Sequence, residues 1–443
     1  MDARINMLER WAAGIVQAAG AGALTGDPNK PLRLRSVQTV RGPRAGALEI
    51  DAGLDSGRLL RVLTVDDCAL HRQFVPWDFL GDPSAYMMGR YVRLEAGWPD
   101  NLAEKNIPLE SLGQHPAGGG RWIAGKNETG ATVTLGLDDQ KPHYLFGGWT
   151  GSGKTWALHA ALVQLARDPL NRLVLIDAKW GASLGCLQGL PGLIGPIAID
   201  LTTAKGALSW AVNEMRQRYE SGSHAGRVIV AVDEVQELSG DPGAVEMLRR
   251  LIVQGRGAGV HVLLGTQHPT KDAFGDPAIK RNLTGRVALR VEDGVASNVV
   301  VGGPNPRADH LLGAGDAYAV TPGAVQRLQM AYIPEKQLPT DGQPVLEAWP
   351  EFDAEAAGTL PEDHGGGFEV SGVEAAVAIH AANLGKGRPA LQRMLQEATG
   401  SKPGGSRSER LLTLGREGWT WLQEQGLMLC DGDESEDDES TGF

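Results

Sequence analysis

HYLFGGWTGSGKTWALHAALVQLAR, residues 143–167, decides the reading of this chain. A short apolar run, His143–Gly148, enters a glycine-rich turn and leaves it as a helical pattern that begins near Lys154 and runs to Arg167. Within the turn the spacing is Gly148, four residues, then Gly153, Lys154 and Thr155. Glycines let the backbone turn tightly enough to point several N–H groups at phosphate oxygens, and a helix N-terminus adds the positive end of its dipole. Gly148, Thr150, Gly151, Ser152, Gly153, Lys154 and Thr155 are therefore the candidate cradle for a nucleoside triphosphate, taken to be ATP with Mg²⁺. Lys154 can reach the β- and γ-phosphates, and the Thr155 hydroxyl can ligate the metal. Trp149 is a bulky residue inside this loop, and the pattern gives no account of it.

Around this stretch, short apolar runs alternate with longer helical patterns. The runs are LVLID (173–177), VIVAVD (228–233), VHVLLGT (260–266) and RVALRV (286–291); the helical patterns lie near 154–167, 203–219 and 244–254. Such alternation predicts a doubly wound α/β domain with a mostly parallel, buried sheet. In such sheets ligands bind beyond the carboxyl ends of the strands. Asp233 and Glu234 stand at that end of the run VIVAVD, where Asp233 can hold Mg²⁺ through water and Glu234 can orient and deprotonate an attacking water. By themselves the two acids could equally cap a following helix. Gln267, just past the run VHVLLGT, is placed to sense a γ-phosphate or to satisfy its own turn, and His268 reads as a solvated loop residue because nothing around it has metal-ligand spacing.

The series PHYLFGGWTGSGKT, VLIDAK, EMRQRY, VIVAVDEVQEL, GRGAGVHVLLGTQHP, KRNLTGRVALRV and LLGAGDAYAV resembles the motor of FtsK/SpoIIIE-type DNA translocases, within the FtsK–HerA class of hexameric ATPases. The pieces RGP (41–43), VDDCAL (65–70), VRLEAG (92–97) and WIAGKNETGATVTLGL (122–137) are similar to the small domain that precedes that motor. The resemblance implies a RecA-like fold, a homo-hexameric ring around double-stranded DNA, and ATP hydrolysis between subunits. It assigns Lys154, Glu234 and Gln267 to catalysis, Thr155 and Asp233 to Mg²⁺, and Arg256 to a trans arginine finger, with a plain surface arginine as the other reading. Asp177, Lys179, Asn282 and Arg286 match family positions of less defined role. Trp149 and His268 depart from the family's usual residues. A protein-moving ATPase of the type VII secretion kind and a non-translocating P-loop regulator are the competing readings.

The rest of the 443 residues bounds the organisation. Residues 1–138 read as a small α+β domain, 139–345 as the motor, 346–372 as a linker and 373–428 as a helical, helix-turn-helix or winged-helix unit. Residues 429–443 read as a disordered acidic tail. In the fourth region Arg388, Arg393, Lys402, Arg407 and Arg410 are candidate DNA contacts, with Lys386 and Arg416 nearby; a solvated helical cap is the alternative. The net charge of −12 sits partly in the run Asp431–Ser440 and argues against a surface that is basic throughout. Three separated cysteines, 68, 186 and 430, exclude a disulfide framework and fit a reducing cytoplasm. No apolar stretch approaches the roughly 20 residues of a membrane span. Without such a segment, plasmid or mobile-element transfer, or DNA packaging, is expected over a septum-anchored role.

Overall fold

The computed structural model describes residues 3–99, 106–113, 119–222, 226–267, 269–270, 274, 276–352, 372–399, 408, 411–413 and 415–416. Two compact units divide near residue 358. The first begins with helix α1 (Ala3–Gly20), whose Leu8, Trp11 and Ile15 are buried. It lies on an antiparallel sheet of strands β1 (Ser36–Arg41), β2 (Ala45–Asp51), β3 (Ser84–Met88) and β4 (Tyr91–Gly97), in the order β1-β2-β4-β3. Helices α2 (Ser56–Thr64) and α3 (Ala69–Phe74) connect β2 to β3. Strand residues alternate apolar and polar, so one face can be buried under α1. Trp11, Trp77 and Trp98 fill that core together with His71, which stacks on Trp11.

A larger sheet follows. Its strands are β5 (Ile107–Pro108), β6 (Arg121–Asn127), β7 (Thr132–Gly136), β8 (Tyr144–Gly147), β9 (Arg172–Asp177), β10 (Val228–Asp233), β11 (Val260–Thr266), β12 (Gly285–Leu289), β13 (Asp316–Thr321) and β14 (Ala324–Tyr332). The order is β7-β6-β14-β13-β12-β8-β11-β10-β9, with β5 on β14. From β12 to β9 the strands are parallel; from β12 to β7 each pair is antiparallel. The parallel half is the one that the runs of uninterrupted apolar residues predicted, since strands covered on both faces need no polar side. Helices α4 (Lys154–Leu165), α5 (Leu201–Ser221), α6 (Pro242–Gln254), α7 (Pro277–Asn282) and α8 (Gly294–Val301) accompany it. The result is a RecA-like α/β P-loop fold built on a mixed sheet.

Two boundaries shift. Strands β6 and β7 lie before the boundary read at 138, yet β6 pairs with β14 and both belong to the large sheet. A hairpin carries no sign in its own sequence of the distant strand it will join. Residues 346–352, read as linker, lie on the first unit: the Leu346 amide donates to Ile194 O at 2.7 Å, and Trp349 Nε1 donates to Pro196 O at 2.6 Å. This strap lies outside residues 193–198, which themselves bridge to β9, so the β9 edge is covered twice.

His143 and His261 are buried at the entry to β8 and β11, and His143 Nδ1 accepts the Val262 amide at 3.0 Å. Burial, with a smaller contribution from His261, pushes His143 down to about 3, and burial pushes His261 down to about 4. Both are neutral in the folded chain while the unfolded chain takes up protons below roughly pH 6.5. The stability they contribute is therefore full above that pH and is lost as pH falls towards the folded values. Urea midpoints are expected to drop between pH 7 and 5, and His143→Asn, which keeps an acceptor for Val262, should flatten the slope. An unchanged slope would remove this account.

The second unit holds α9 (Gly372–Asn383) and α10 (Arg388–Thr399), packed through Ala378, Ala381, Leu391 and Leu395 with Leu411 and Leu412. Gln392 donates to the Ser408 hydroxyl at 3.0 Å. The remainder of the helix expected from 408 to 425, the tail 429–443 and linker residues 353–371 lie outside the described residues.

Candidate nucleotide site

The site forms where β8, β10 and β11 end. The β8 backbone turns after Gly147, and the Gly148 amide donates to Thr266 O at 3.1 Å, tying the turn to the end of β11. Gly153 caps α4 with φ +101°, a left-handed value that favours glycine. Thr150, Gly151, Gly153, Lys154 and Thr155 line a cavity of about 470 Å³. Most of the cradle read from the sequence thus meets one cavity, and Gly148 and Ser152 complete its turn.

Lys154 is buried and its ammonium points at the acids. Nζ donates to Asp233 Oδ1, and to Glu234 Oε1 at 3.1 Å. Asp233 ends β10 and Glu234 follows it in a left-handed conformation, φ +54° and ψ +59°. That backbone costs on the order of 1–3 kcal/mol in a residue with a side chain. It is held by packing and by hydrogen bonds: Gln236 Nε2 and the Gln267 amide both donate to Glu234 Oε2, at 2.5 and 3.1 Å. Gly265 on β11 leaves room for Asp233, since a methyl there would collide with the carboxylate.

Gln267 sits across the cavity mouth, where the Thr150 hydroxyl donates to its Oε1 at 2.8 Å. One residue thus touches the phosphate loop through its side chain and Glu234 through its backbone. Trp149 leans on the Arg290 guanidinium, 4.9 Å from ring centroid to Cζ, and its amide donates to Arg290 O at 2.9 Å. Its bulk is thereby taken up by a cation–π contact at the rim.

The remaining candidates separate. Arg256 lies before β11, at the opposite end of the strand from the cradle; it is exposed and paired with Asp139 at 3.3 Å. A strand of this length spans about 20 Å, so Arg256 cannot serve its own cradle. Asp177 is buried and accepts the Ser183 and Leu184 amides at 2.7 and 2.8 Å, bracing the loop after β9. Arg286 donates to Val299 O and Lys280 O, both at 3.0 Å, closing the C-terminal ends of α8 and α7. Burial lowers its pKa from the ordinary arginine value. The Asn282 amide caps Ala278 O at 3.0 Å. Lys179 follows the Asp177 turn and is exposed. Arg393 is exposed on α10; the Arg388 side chain, His268, Lys402, Arg407 and Arg410 lie outside the described residues. The sequence reading missed Asn106, Trp156, Gln329 and Tyr332, which also line the cavity. They come from β14, α4 and the segment before β5, and only the LLGAGDAYAV stretch signalled that the chain returns there.

The donor set suits a magnesium–nucleotide complex. Asp233 Oδ2 and Ser152 Oγ are buried without a hydrogen-bond partner, and Thr155 lines the cavity beside Lys154. Among the described residues no cluster of three or more histidine, cysteine or acidic side chains could hold a metal unaided.

Fold and site define a P-loop nucleoside triphosphatase domain. Residues 122–305 match the model of the FtsK/SpoIIIE family. DNA translocase FtsK of Caldanaerobacter subterraneus is 31% identical over 354 residues, covering 70% of this chain and 46% of that protein. DNA translocase FtsK 2 of Neisseria meningitidis is 28% identical over 260 residues, 48% of this chain and 25% of that protein. The chain thus spans less than half the length of these relatives. Among solved structures, the pCW3 conjugation coupling protein TcpA with ATPγS superposes with a TM-score of 0.49 at 19% identity, covering 75% of this chain and 96% of that one. Among the described residues no helix is long and apolar enough to cross a membrane.

Proposed function

We propose that this chain hydrolyses ATP to move along double-stranded DNA, working as a homo-hexameric ring. The observation that carries the reading is the meeting of Lys154, Asp233 and Glu234 at one end of the sheet, within the residues that match the FtsK/SpoIIIE family. Lys154 leaves the acids to bind the β- and γ-phosphates, while Thr155 and Asp233 hold Mg²⁺. The ion supplies charge neutralisation on the phosphates when bound. Glu234, freed of its lysine, accepts a proton from the attacking water. Gln267 links the phosphate loop to Glu234, so it is placed to report whether a γ-phosphate is present. The exposed position of Arg256 supports a role on a neighbour's nucleotide. Arg388, Arg393, Lys402, Arg407 and Arg410 are proposed to touch DNA phosphates. Plasmid or mobile-element transfer, or DNA packaging, is the proposed setting; it rests on the family resemblance and is tested by transfer frequency in a deletion strain.

ATP turnover should rise when double-stranded DNA is added, and mass photometry should find a hexamer. Stimulation by polypeptide in place of DNA would transfer the reading to a protein motor. Arg256→Ala should lose about 10³-fold or more in turnover while binding ATP normally. Mixing it with Lys154→Ala subunits should restore part of the activity, because each supplies what the other lacks. Wild-type turnover by Arg256→Ala alone would remove the finger.

A further inference from the structure

Residues 312–316 enter β13 and lie against the phosphate loop. The Gly315 amide donates to Ser152 O at 2.7 Å. Backbone meets backbone here, since a methyl on Gly153 would lie 2.9 Å from Gly315 N. No side chain cushions the contact, so a displacement of Gly315 passes to Gly153, the residue before Lys154. The segment is also strained: Ala314 has φ +48°. Gln329 Nε2 holds Ala314 O at 2.8 Å, and the Met330 amide holds Gly315 O at 2.7 Å.

Two arginines complete the hold, and both lead to the N-terminal sheet. Arg44, the residue before β2, is buried and donates from Nη1 to Gly313 O at 2.9 Å. Arg327 clasps Asp316 through Nε at 3.0 Å and Nη2 at 2.6 Å. Asp316 in turn accepts the Leu312 amide at 2.9 Å, closing the segment on itself. Arg327 Nη1 reaches Glu95 of β4 at 3.2 Å, and Glu95 takes Arg93 Nε at 2.7 Å. Arg93 continues to Glu49 of β2 at 2.6 Å. Burial opposes the charge on Glu95, but Arg93 and Arg327 outweigh it and hold the carboxyl below its ordinary value. Charge-assisted bonds thus run without a break from β2 and β4 to the segment that backs the phosphate loop.

We propose that the N-terminal sheet positions the phosphate loop, with Arg44 and Asp316 as the residues that set the segment 312–316 and hence the affinity for the triphosphate. This rests on the reading that residues 148–155 bind a nucleoside triphosphate. Binding couplings are reciprocal, so nucleotide must in return stiffen β2 and β4.

The test uses the full chain, a fluorescent ATP analogue and hydrogen exchange. Arg44→Met keeps the aliphatic length and removes the donors. It should weaken analogue binding about tenfold, or about 1.4 kcal/mol, with turnover at saturating ATP within about twofold of wild type. Arg44→Lys, which can still donate to Gly313 O, should recover most of the affinity. In the wild type, ATPγS should slow exchange in β2 and β4, and in Arg44→Met it should not. Should Arg44→Met fail to fold, Asp316→Asn keeps the shape and carries the same expectations. Wild-type affinity and wild-type exchange response in these variants would overturn the positioning role while leaving the nucleotide site intact. A wild-type chain that binds no analogue would overturn both.

Discussion

Lys154→Ala is expected to abolish ATP turnover, by at least about 10²-fold, and also to lower the melting temperature of the nucleotide-free protein. The first effect is loss of the cation that meets the phosphates. The second comes from what Lys154 does meanwhile. Its ammonium lies between Asp233 and Glu234, and all three side chains are at most 2% exposed. Truncating the lysine leaves two carboxylates buried beside each other without their cation. Breaking a buried pair in this way costs about 3–5 kcal/mol. Calorimetry of Lys154→Ala and of Lys154→Ala with Asp233→Asn separates the effects. The second change should restore stability and leave turnover absent. Normal turnover in Lys154→Ala would remove the site assignment, and an unchanged melting temperature would remove the buried-cluster argument.

Glu234→Gln should bind ATP with wild-type affinity yet lose about 10²–10⁴-fold in turnover, the range for removing a general base. The amide keeps the volume and one acceptor oxygen, so the bond from Gln236 can persist, and Lys154 retains Asp233. Folding should hardly change. Glu234→Gly offers a second view of the same residue. It relieves the left-handed backbone at φ +54° but strips the acceptor from Gln236 Nε2 and the Gln267 amide, so it should be as inactive as the glutamine variant and less stable than it. Single-turnover hydrolysis with a parallel melting curve checks both. Hydrolysis at the wild-type rate in Glu234→Gln would move the base elsewhere.

The parallel half of the sheet and its cradle were legible because both are local. Strand, glycine turn and helix follow one another in 143–167, and the acids end the strand they were read on. What was not legible depends on distant partners. The hairpin β6–β7 reads as part of a small domain until β14, some 200 residues later, pairs with it. Asp177 and Arg286 show their charge in the sequence but not the amides and carbonyls that use it. Leu346 and Trp349 sit in a polar, proline-bearing stretch, and only the fold shows that they dock on residues 194–196. Gln329 and Tyr332 reach the cavity because β14 returns to α4, a closure that no periodicity encodes.

The doubled cover over β9 bears on how copies of this chain can meet. A bare strand offers unpaired amides and carbonyls to any other strand, which invites indiscriminate stacking and aggregation. At this edge residues 193–198 are laid alongside β9, and 345–346 bond to residues 193–194 in turn. Neighbours therefore cannot add there by extending the sheet without first peeling away chain that is already bonded. Association on that side must be negotiated by side chains, whose shape and charge can discriminate one partner from another where a bare backbone could not.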